Sequence, residues 1–198
     1  MLPPRTGYHH GNLRTELLAS AERLLEEVGA EQLSLREMAR RVGVSHGAPR
    51  QHFADKRCLL GALAEVGFQR LGAELDAVLA GVHGPLFTRL VVFAQTWVGF
   101  ATQYPGLHDL MFTRGRVTSP NASGPDSGAA FAVCSAMFER ARLDGEIAAG
   151  DHEVVVLAAL AAVLGCAVLV TSGMSGDRPV GTLVSRVVTT LLEGIRPR

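Results

Sequence analysis

Several features are scarce in this chain of 198 residues, and each scarcity excludes a class of protein. Its three cysteines, Cys58, Cys134 and Cys166, form neither a CxxC pair nor a Cys/His spacing typical of zinc. We therefore expect no metal site, and predict three buried thiols in a reducing cytoplasm. Neither sign of charge is in excess, since 19 Lys and Arg balance 19 Asp and Glu. This balance argues against a surface that binds nucleic acid throughout.

Motifs of known catalytic chemistry are also missing. The sequence contains no HExxH, no GxSxG, no Gly-rich phosphate loop and no acidic pair with a natural helical partner that would make a catalytic pair. We predict a protein that is not an enzyme and that needs no cofactor. A helical enzyme remains an alternative that a turnover screen with hydrolase substrates would test. Residues 1–14 lack an apolar core of signal-peptide length, so secretion is not expected and a cytoplasmic location is predicted.

Apolar residues are plentiful, at 47% of the chain against 19% charged. This composition is typical of a folded, self-associating protein. One run without charge, from Val154 to Val170, reaches the lower limit for a membrane span. Because it is rich in Ala and has no flanking cluster of Lys or Arg, we predict a helix buried on all sides, in a core and a subunit interface, rather than a membrane span.

Helical periodicity runs through most of the chain, and no alternation of period two occurs, so the predicted fold class is all-α. Asn12 is the expected N-cap of the first helix and Gly29 its end, while Ser34 and Glu37 form a capping box for the second. The polar stretch 113–128 is predicted to be a surface loop. The predicted helices span residues 13–28, 35–42, 45–53, 56–80, 85–104, a short segment after 105, and then 128–143, 152–172 and 180–195.

The segment 35–53 fits a helix-turn-helix. Such a motif needs a small residue where its helices cross, a residue that tolerates positive φ in the turn, and an apolar residue beyond it. Ala39, Gly43 and Val44 meet these needs in that order. Residues 1–57 carry nine Lys and Arg against seven Asp and Glu, together with four of the seven His. We therefore predict a DNA-binding head over 1–57 and a helical body over 58–198.

The first third of the chain resembles the DNA-binding head of TetR-family transcriptional regulators. The motifs that carry the resemblance are Glu27-Val28-Gly29, Leu33-Ser34-Leu35-Arg36-Glu37-Met38-Ala39, Val42-Gly43-Val44-Ser45 and His52-Phe53-Ala54-Asp55-Lys56. The opening Tyr8-His9-His10-Gly11-Asn12-Leu13-Arg14 is similar to a branch of the family with an extended N-terminal arm. Arg50-Gln51 departs from the Tyr-Arg that usually precedes His-Phe there, so the operator preference of relatives does not carry over.

The resemblance implies contacts with duplex DNA. His46, Gly47 and Ala48 are expected near base edges with Pro49 shaping the contact, while His52 and Lys56, the single lysine, are expected at phosphates. Capping is an alternative role for His52, and a solvated helix face is one for Arg36, Arg40 and Arg41. The full predicted DNA-binding set is Arg36, Ser45, His46, Gly47, Ala48, Pro49, Arg50, His52 and Lys56.

The resemblance also implies a homodimer whose body binds an effector. Ala158, Ala161, Ala162 and Gly165 offer one face for helix packing, and Val184, Val187, Val188 and Leu191 offer a second. Aromatic and Met side chains with a few polar groups suit a pocket for an apolar or amphipathic small molecule, although a plain core is the alternative. The predicted pocket comprises Phe93, Trp97, Phe100, Tyr104, His108, Met111, Phe112, Met137 and Phe138.

The expected activity is ligand-responsive repression at a near-palindromic operator, with release when the effector binds. Two other readings stay open: a constitutive DNA-binding regulator without a ligand, and an activator, because the sign depends on where the operator lies.

Overall fold

The computed structural model describes residues 10–114, 129–148 and 150–194, and within these ranges it contains eight α-helices and no strand. The all-α prediction is confirmed. The N-terminal arm up to residue 9 and most of the predicted 113–128 loop lie outside the described residues. The helices are α1 (His10–Gln32), α2 (Leu35–Val42), α3 (Lys56–Leu79), α4 (Leu86–Gln103), α5 (Pro105–Asp109), α6 (Ala129–Leu143), α7 (His152–Thr171) and α8 (Val180–Glu193).

Glycines break the head helices where the sequence predicts. Gly29 has a φ of 75° and interrupts α1, and Gly43 has a φ of 77° and ends α2. The prediction for the start of α1 is wrong, because the helix begins at His10 and Asn12 lies inside it.

The prediction of an α-helix over 45–53 as the third head helix is wrong. The structure has a four-residue 3₁₀ helix, Ala48–Gln51, preceded by turns. Pro49 has no N–H to donate to the carbonyl of Ser45, as an α-helix would require. That carbonyl instead accepts from the N–H of Ala48 at 3.0 Å, and Arg50 N donates to Gly47 O at 3.2 Å, so three-residue bonds replace four-residue bonds.

A continuous core joins the head to the body. Buried leucines of α1 and α3 pack together beneath the helix-turn-helix, and α3 continues into the body, where it packs against α4 and α6. At 1.5 Å per residue its 24 residues span about 36 Å. The body surrounds the buried Phe93, Phe100 and Phe138.

Helix α7 packs against α4, α6 and α8, so the part of its predicted burial that belongs to the core is present in the chain. Val154, Leu157 and Val168 are 58%, 50% and 53% exposed in the single chain, so one face of α7 has no covering element among the described residues. Within that part of the chain α7 is also the one helix long and apolar enough to cross a membrane.

The cysteine prediction is correct at two of three positions. Cys134 and Cys166 are buried, and burial raises the pKa of the Cys134 thiol to about 12. Cys58 is exposed, because it lies in the first turn of α3, whose N-cap is Asp55.

Candidate DNA-binding surface and effector-binding body

The turn of the helix-turn-helix is fixed by backbone and capping bonds. Ser34 Oγ accepts from the N–H of Glu37 at 3.1 Å, which confirms half of the predicted capping box. The backbone N–H groups of Gly43 and Val44 each donate to the carbonyl of Ala39 at 3.0 Å. Ala39 is buried at the crossing, as its small size suggests. The motif therefore holds the 3₁₀ segment at a set angle to α2.

Five of the nine predicted DNA-binding residues form an exposed edge. Ser45, His46 and Gly47 are exposed in the turn, and Arg36 and Arg50 are exposed on either side. Within the described ranges, the side chains of Arg36, His46 and Arg50 make no hydrogen bond or ion pair. Cationic and donor groups at this edge are therefore available to an external anion.

Two further predicted residues play a packing role. Pro49 is buried and Ala48 is half-buried, so they anchor the 3₁₀ segment to the core beneath it. The resemblance implied Ala48 near base edges and Pro49 as the residue that shapes the contact. In the structure Pro49 is turned inward, behind the exposed residues of the turn.

The neighbouring arginines of α2 are already occupied. Arg40 binds both oxygens of Glu37 at 2.6 and 2.8 Å, and Arg41 binds Glu37 at 3.2 Å and Glu27 at 2.8 Å. These two guanidinium groups, Arg40 first, lower the pKa of Glu37 to about 2. The ion pairs tie α2 to the end of α1 and reduce the positive charge that α2 presents.

Lys56 and His52 lie at the far end of the motif, and both are half-buried. The ammonium of Lys56 donates to the carbonyl of Glu31 near the end of α1. His52 follows the 3₁₀ segment as its C-cap, and its N–H donates to Pro49 O at 3.0 Å. Lys56 thus joins α3 to α1 in the free protein. A DNA phosphate that bound Lys56 would share its ammonium with the carbonyl of Glu31.

Four of the predicted pocket residues form a connected aromatic cluster between α4 and the α5 end. Trp97 lies 5.6 Å from Phe93 and 5.2 Å from Phe112 between ring centroids, and His108 lies 4.9 Å from Phe112. Trp97 Nε1 donates to His108 Nε2 at 3.2 Å in the protein interior. Because Nε2 accepts, the neutral ring carries its proton on Nδ1, and burial lowers the pKa of His108.

The other five predicted pocket residues are more dispersed. Phe100 and Tyr104 pair at 5.2 Å towards the head, and Met111 packs beneath Gly67 of α3. Met137 and Phe138 are buried on α6. A small cavity of about 10 Å³ lies elsewhere, between α4, α7 and α8. The cavity is lined by Leu90, Ala94, Ala159, Ala162, Val163, Cys166, Val184, Val187, Val188 and Leu191.

The contacts between head and body were not predicted from the sequence. Glu26 of α1 accepts from two backbone N–H groups of α5, and Glu22 pairs with Arg70 of α3. The partners stand 48 to 81 positions apart in the chain. No local pattern marks them, since an acidic residue on α1 has the appearance of an ordinary solvated position.

One polar group in the body contains the side chains of a nucleophilic triad. Ser135 Oγ lies 2.9 Å from His152 Nε2, and His152 Nδ1 lies 3.8 Å from Glu139 Oε2. The Glu139 carboxylate is bound by Arg142 at 2.6 and 2.9 Å. The first N–H groups of α7 donate to its N-cap Asp151. These side chains join α6 to the start of α7.

Taken together, the fold and this exposed edge define a helical protein with a helix-turn-helix head on an apolar body. The family model for bacterial regulatory proteins of the tetR family matches residues 17–63. Over these residues the head of the chain is a DNA-binding domain of the TetR-family type. It is 30% identical over 113 residues to the nucleoid occlusion factor SlmA of Yersinia enterocolitica and that of Pectobacterium carotovorum, a match covering 54% of this chain. The chain spans 57% of the length of these curated relatives.

Solved structures share the whole fold. A protein of unknown function from Rhodococcus sp. RHA1 is 36% identical, with a TM-score of 0.86 over 98% of this chain and 100% of that one. A TetR-family putative transcriptional regulator from Vibrio parahaemolyticus is 22% identical, with a TM-score of 0.70 over 93% and 99%. The Bacillus subtilis regulator FadR in complex with stearoyl-CoA is 14% identical, with a TM-score of 0.74 over 92% and 100%. The similarity to the last two is one of fold.

Proposed function

We propose that this protein is a cytoplasmic homodimeric repressor that binds a near-palindromic operator and is released by an apolar or amphipathic small molecule. The observation that carries the proposal is that Arg36, His46 and Arg50 of the helix-turn-helix are exposed and have no hydrogen bond or ion pair among the described residues. An exposed surface of this kind suits the major groove, with arginines at phosphates or guanine and the turn at base edges.

Dimerisation is supported by the exposed apolar face of α7. Its uncovered apolar residues follow the i, i+3, i+4 spacing of one side of a helix: Val154, Leu157, Ala158, Ala161, Gly165 and Val168. Half-buried Leu183, Val187 and Leu191 of α8 line the groove beside it. Val184 and Val188 were predicted to belong to the same packing face of α8 as Val187 and Leu191. In the structure both are buried in the chain's own core. A second copy packed on this face would remove a large apolar patch from water and present two heads to two half-sites.

The aromatic cluster is the proposed effector site. Its rings supply apolar surface, and the Trp97–His108 hydrogen bond supplies one donor and one acceptor that a ligand could take over. The FadR structure with stearoyl-CoA shows that the fold can hold a long apolar ligand in a relative. Because the rings are in contact with each other, an effector would enter by separating them. It would therefore favour a body conformation that differs from the free one.

Selection from a random duplex library tests the DNA-binding part. The proposal expects enrichment of two inverted half-sites about one helical turn apart, bound by one dimer or more. Failure to enrich any sequence over several rounds would contradict it.

The effector part is tested by titrating the protein–operator complex with stearoyl-CoA and with shorter acyl-CoA thioesters, using free coenzyme A as the control. We expect the acyl-CoA thioesters to release the protein from the operator and free coenzyme A to leave the complex intact.

A constitutive DNA-binding protein is the second candidate. Two observations favour it: the ring-to-ring packing of the cluster, and the curated relatives, which are nucleoid occlusion factors. This candidate predicts sequence-selective binding that no small molecule reverses. Its sign as repressor or activator depends on the operator's position, which reporter assays with the operator moved upstream or downstream of a promoter would measure.

A further inference from the structure

The head and the body are joined by a carboxylate that binds backbone. Glu26 Oε2 accepts from the N–H of Gly106 at 2.8 Å, and Glu26 Oε1 accepts from the N–H of Leu107 at 2.9 Å. Both oxygens are used, so the side chain is held in one orientation. Hydrogen bonds to a charged acceptor are among the stronger ones in proteins. The contact fixes α5 of the body against α1 of the head.

Two neighbouring features strengthen this junction. One turn earlier on α1, Glu22 makes a two-point ion pair with Arg70 of α3, at 2.7 and 2.9 Å, and Arg70 also lies 4.9 Å from the ring centroid of Tyr104. Gly106 allows the close approach, since a Cβ there would lie 3.0 Å from Glu26 Oε2 and 3.1 Å from the carbonyl of Leu25. We call Glu22, Glu26, Arg70, Gly106 and Leu107 the head–body latch.

The opposite end of α5 belongs to the aromatic cluster. His108 follows Leu107 directly, accepts from Trp97 and lies against Phe112. Leu107 and His108 are consecutive residues of this five-residue helix, so a displacement of His108 acts directly on the backbone N–H groups of Gly106 and Leu107. One short element therefore connects the cluster to the head contact.

We propose that Glu26 is a positioning residue through which the state of the aromatic cluster sets the orientation of the DNA-binding head. This inference rests on the proposed function and adds the path by which the effector site would act on the DNA-binding head. A ligand that separates His108 from Trp97 would displace α5, break the bonds to Glu26 and change the orientation of the head. By linkage, DNA bound at the head must in turn alter the cluster.

Trp97 is the single tryptophan of the chain, so its fluorescence reports on the cluster alone. The test measures acrylamide quenching of Trp97 in the full-length protein, with and without the selected operator duplex, for the wild type, Glu26→Gln and Glu27→Gln. Both variants remove one negative charge from the same turn, but Glu27 contacts Arg41 within the head. Anisotropy of a labelled duplex records DNA binding separately.

Without DNA, Glu26→Gln should raise the quenching constant of Trp97 by about twofold, because α5 opens locally more often, whereas Glu27→Gln should match the wild type. Saturating DNA should change Trp97 quenching in the wild type and in Glu27→Gln, and leave it nearly unchanged in Glu26→Gln. If Glu26→Gln matches the wild type in both conditions, the latch proposal is wrong. If anisotropy shows no DNA binding, the proposed function fails, and the DNA-free comparison still decides the latch.

Discussion

Charged residues of the head fall into two groups according to whether an intramolecular partner already holds them. Arg50 is exposed without a partner in the described part of the chain, whereas Arg40 is bound to Glu37 by two short hydrogen bonds. This division is not visible in the sequence, where both are simply arginines near the motif. It predicts unequal contributions to DNA binding.

Arg50→Ala should weaken operator binding about tenfold and reduce the slope of log K against log salt by about one, as expected for one lost phosphate contact. Arg40→Ala is the matched control and should change the slope much less, because Glu37 already neutralises that guanidinium. Anisotropy titrations over a salt series measure both. Equal slopes for the two variants would refute the division.

The buried His108 gives the body a pH dependence of known sign. Burial lowers its pKa below the ordinary 6.5, so the unfolded chain binds the proton more readily than the folded one. Its contribution to stability is complete above pH 6.5 and is lost as pH falls through the lower folded pKa. The free energy of unfolding in urea should therefore drop less between pH 7.5 and 5.5 in His108→Gln than in the wild type. An identical drop in both proteins would contradict the burial of a neutral His108 ring in the folded body.

At the scale of elements, the sequence predicts what depends on local periodicity and capping. The spans of α3, α4, α6 and α7 follow from apolar spacing, and Ser34, Gly43 and Asp55 act at helix ends as expected. Two features depend on more than local pattern. The 3₁₀ form of 48–51 arises from the N–H that Pro49 lacks, a cost that the sequence analysis underestimated. The latch joins residues 80 positions apart and leaves no periodic signal.

Packing between α3 and α5 is tight at Gly67. A Cβ added there would lie 2.5 Å from Met111 Sδ and 3.1 Å from Leu107 Cγ, whereas one at Gly61 of the same helix meets nothing within 4 Å. Gly61→Ala should stabilise the protein by about 0.5 to 1 kcal/mol through helix propensity. Gly67→Ala should be destabilising overall, since overpacking costs about 1 to 3 kcal/mol. Urea unfolding of the two variants measures the difference, and equal stabilisation would show that the interface has free space.

At the scale of the whole molecule, the exposed face of α7 predicts the assembly. Leu157→Glu places a charge in the middle of that face and should convert the dimer into a monomer. Val78→Glu is the control, because Val78 is an exposed apolar residue of α3 outside the face, at 44% against 50% for Leu157. Sedimentation velocity distinguishes the two species. A dimer that survives Leu157→Glu would place the interface elsewhere.

The same monomer would carry one head and lose the second half-site, so it should bind operator DNA far more weakly than the dimer. In the proposed function, the head, the interface and the latch contribute to one property, the affinity for a two-part DNA site. The cluster around Trp97 is the part of the molecule from which that affinity would be regulated.

The most direct test of DNA-directed function is the binding of the wild-type protein to duplex from beside its own coding region, at several salt concentrations, against a scrambled duplex and with Lys56→Ala alongside. The account predicts selective binding that weakens as salt rises, with a slope shallower by about one in Lys56→Ala. Lys56 also donates to the carbonyl of Glu31, so its removal can destabilise the fold. Urea unfolding of Lys56→Ala measures that loss of stability and separates it from the loss of a DNA contact. Binding without preference over the scrambled duplex at every salt concentration would contradict the account.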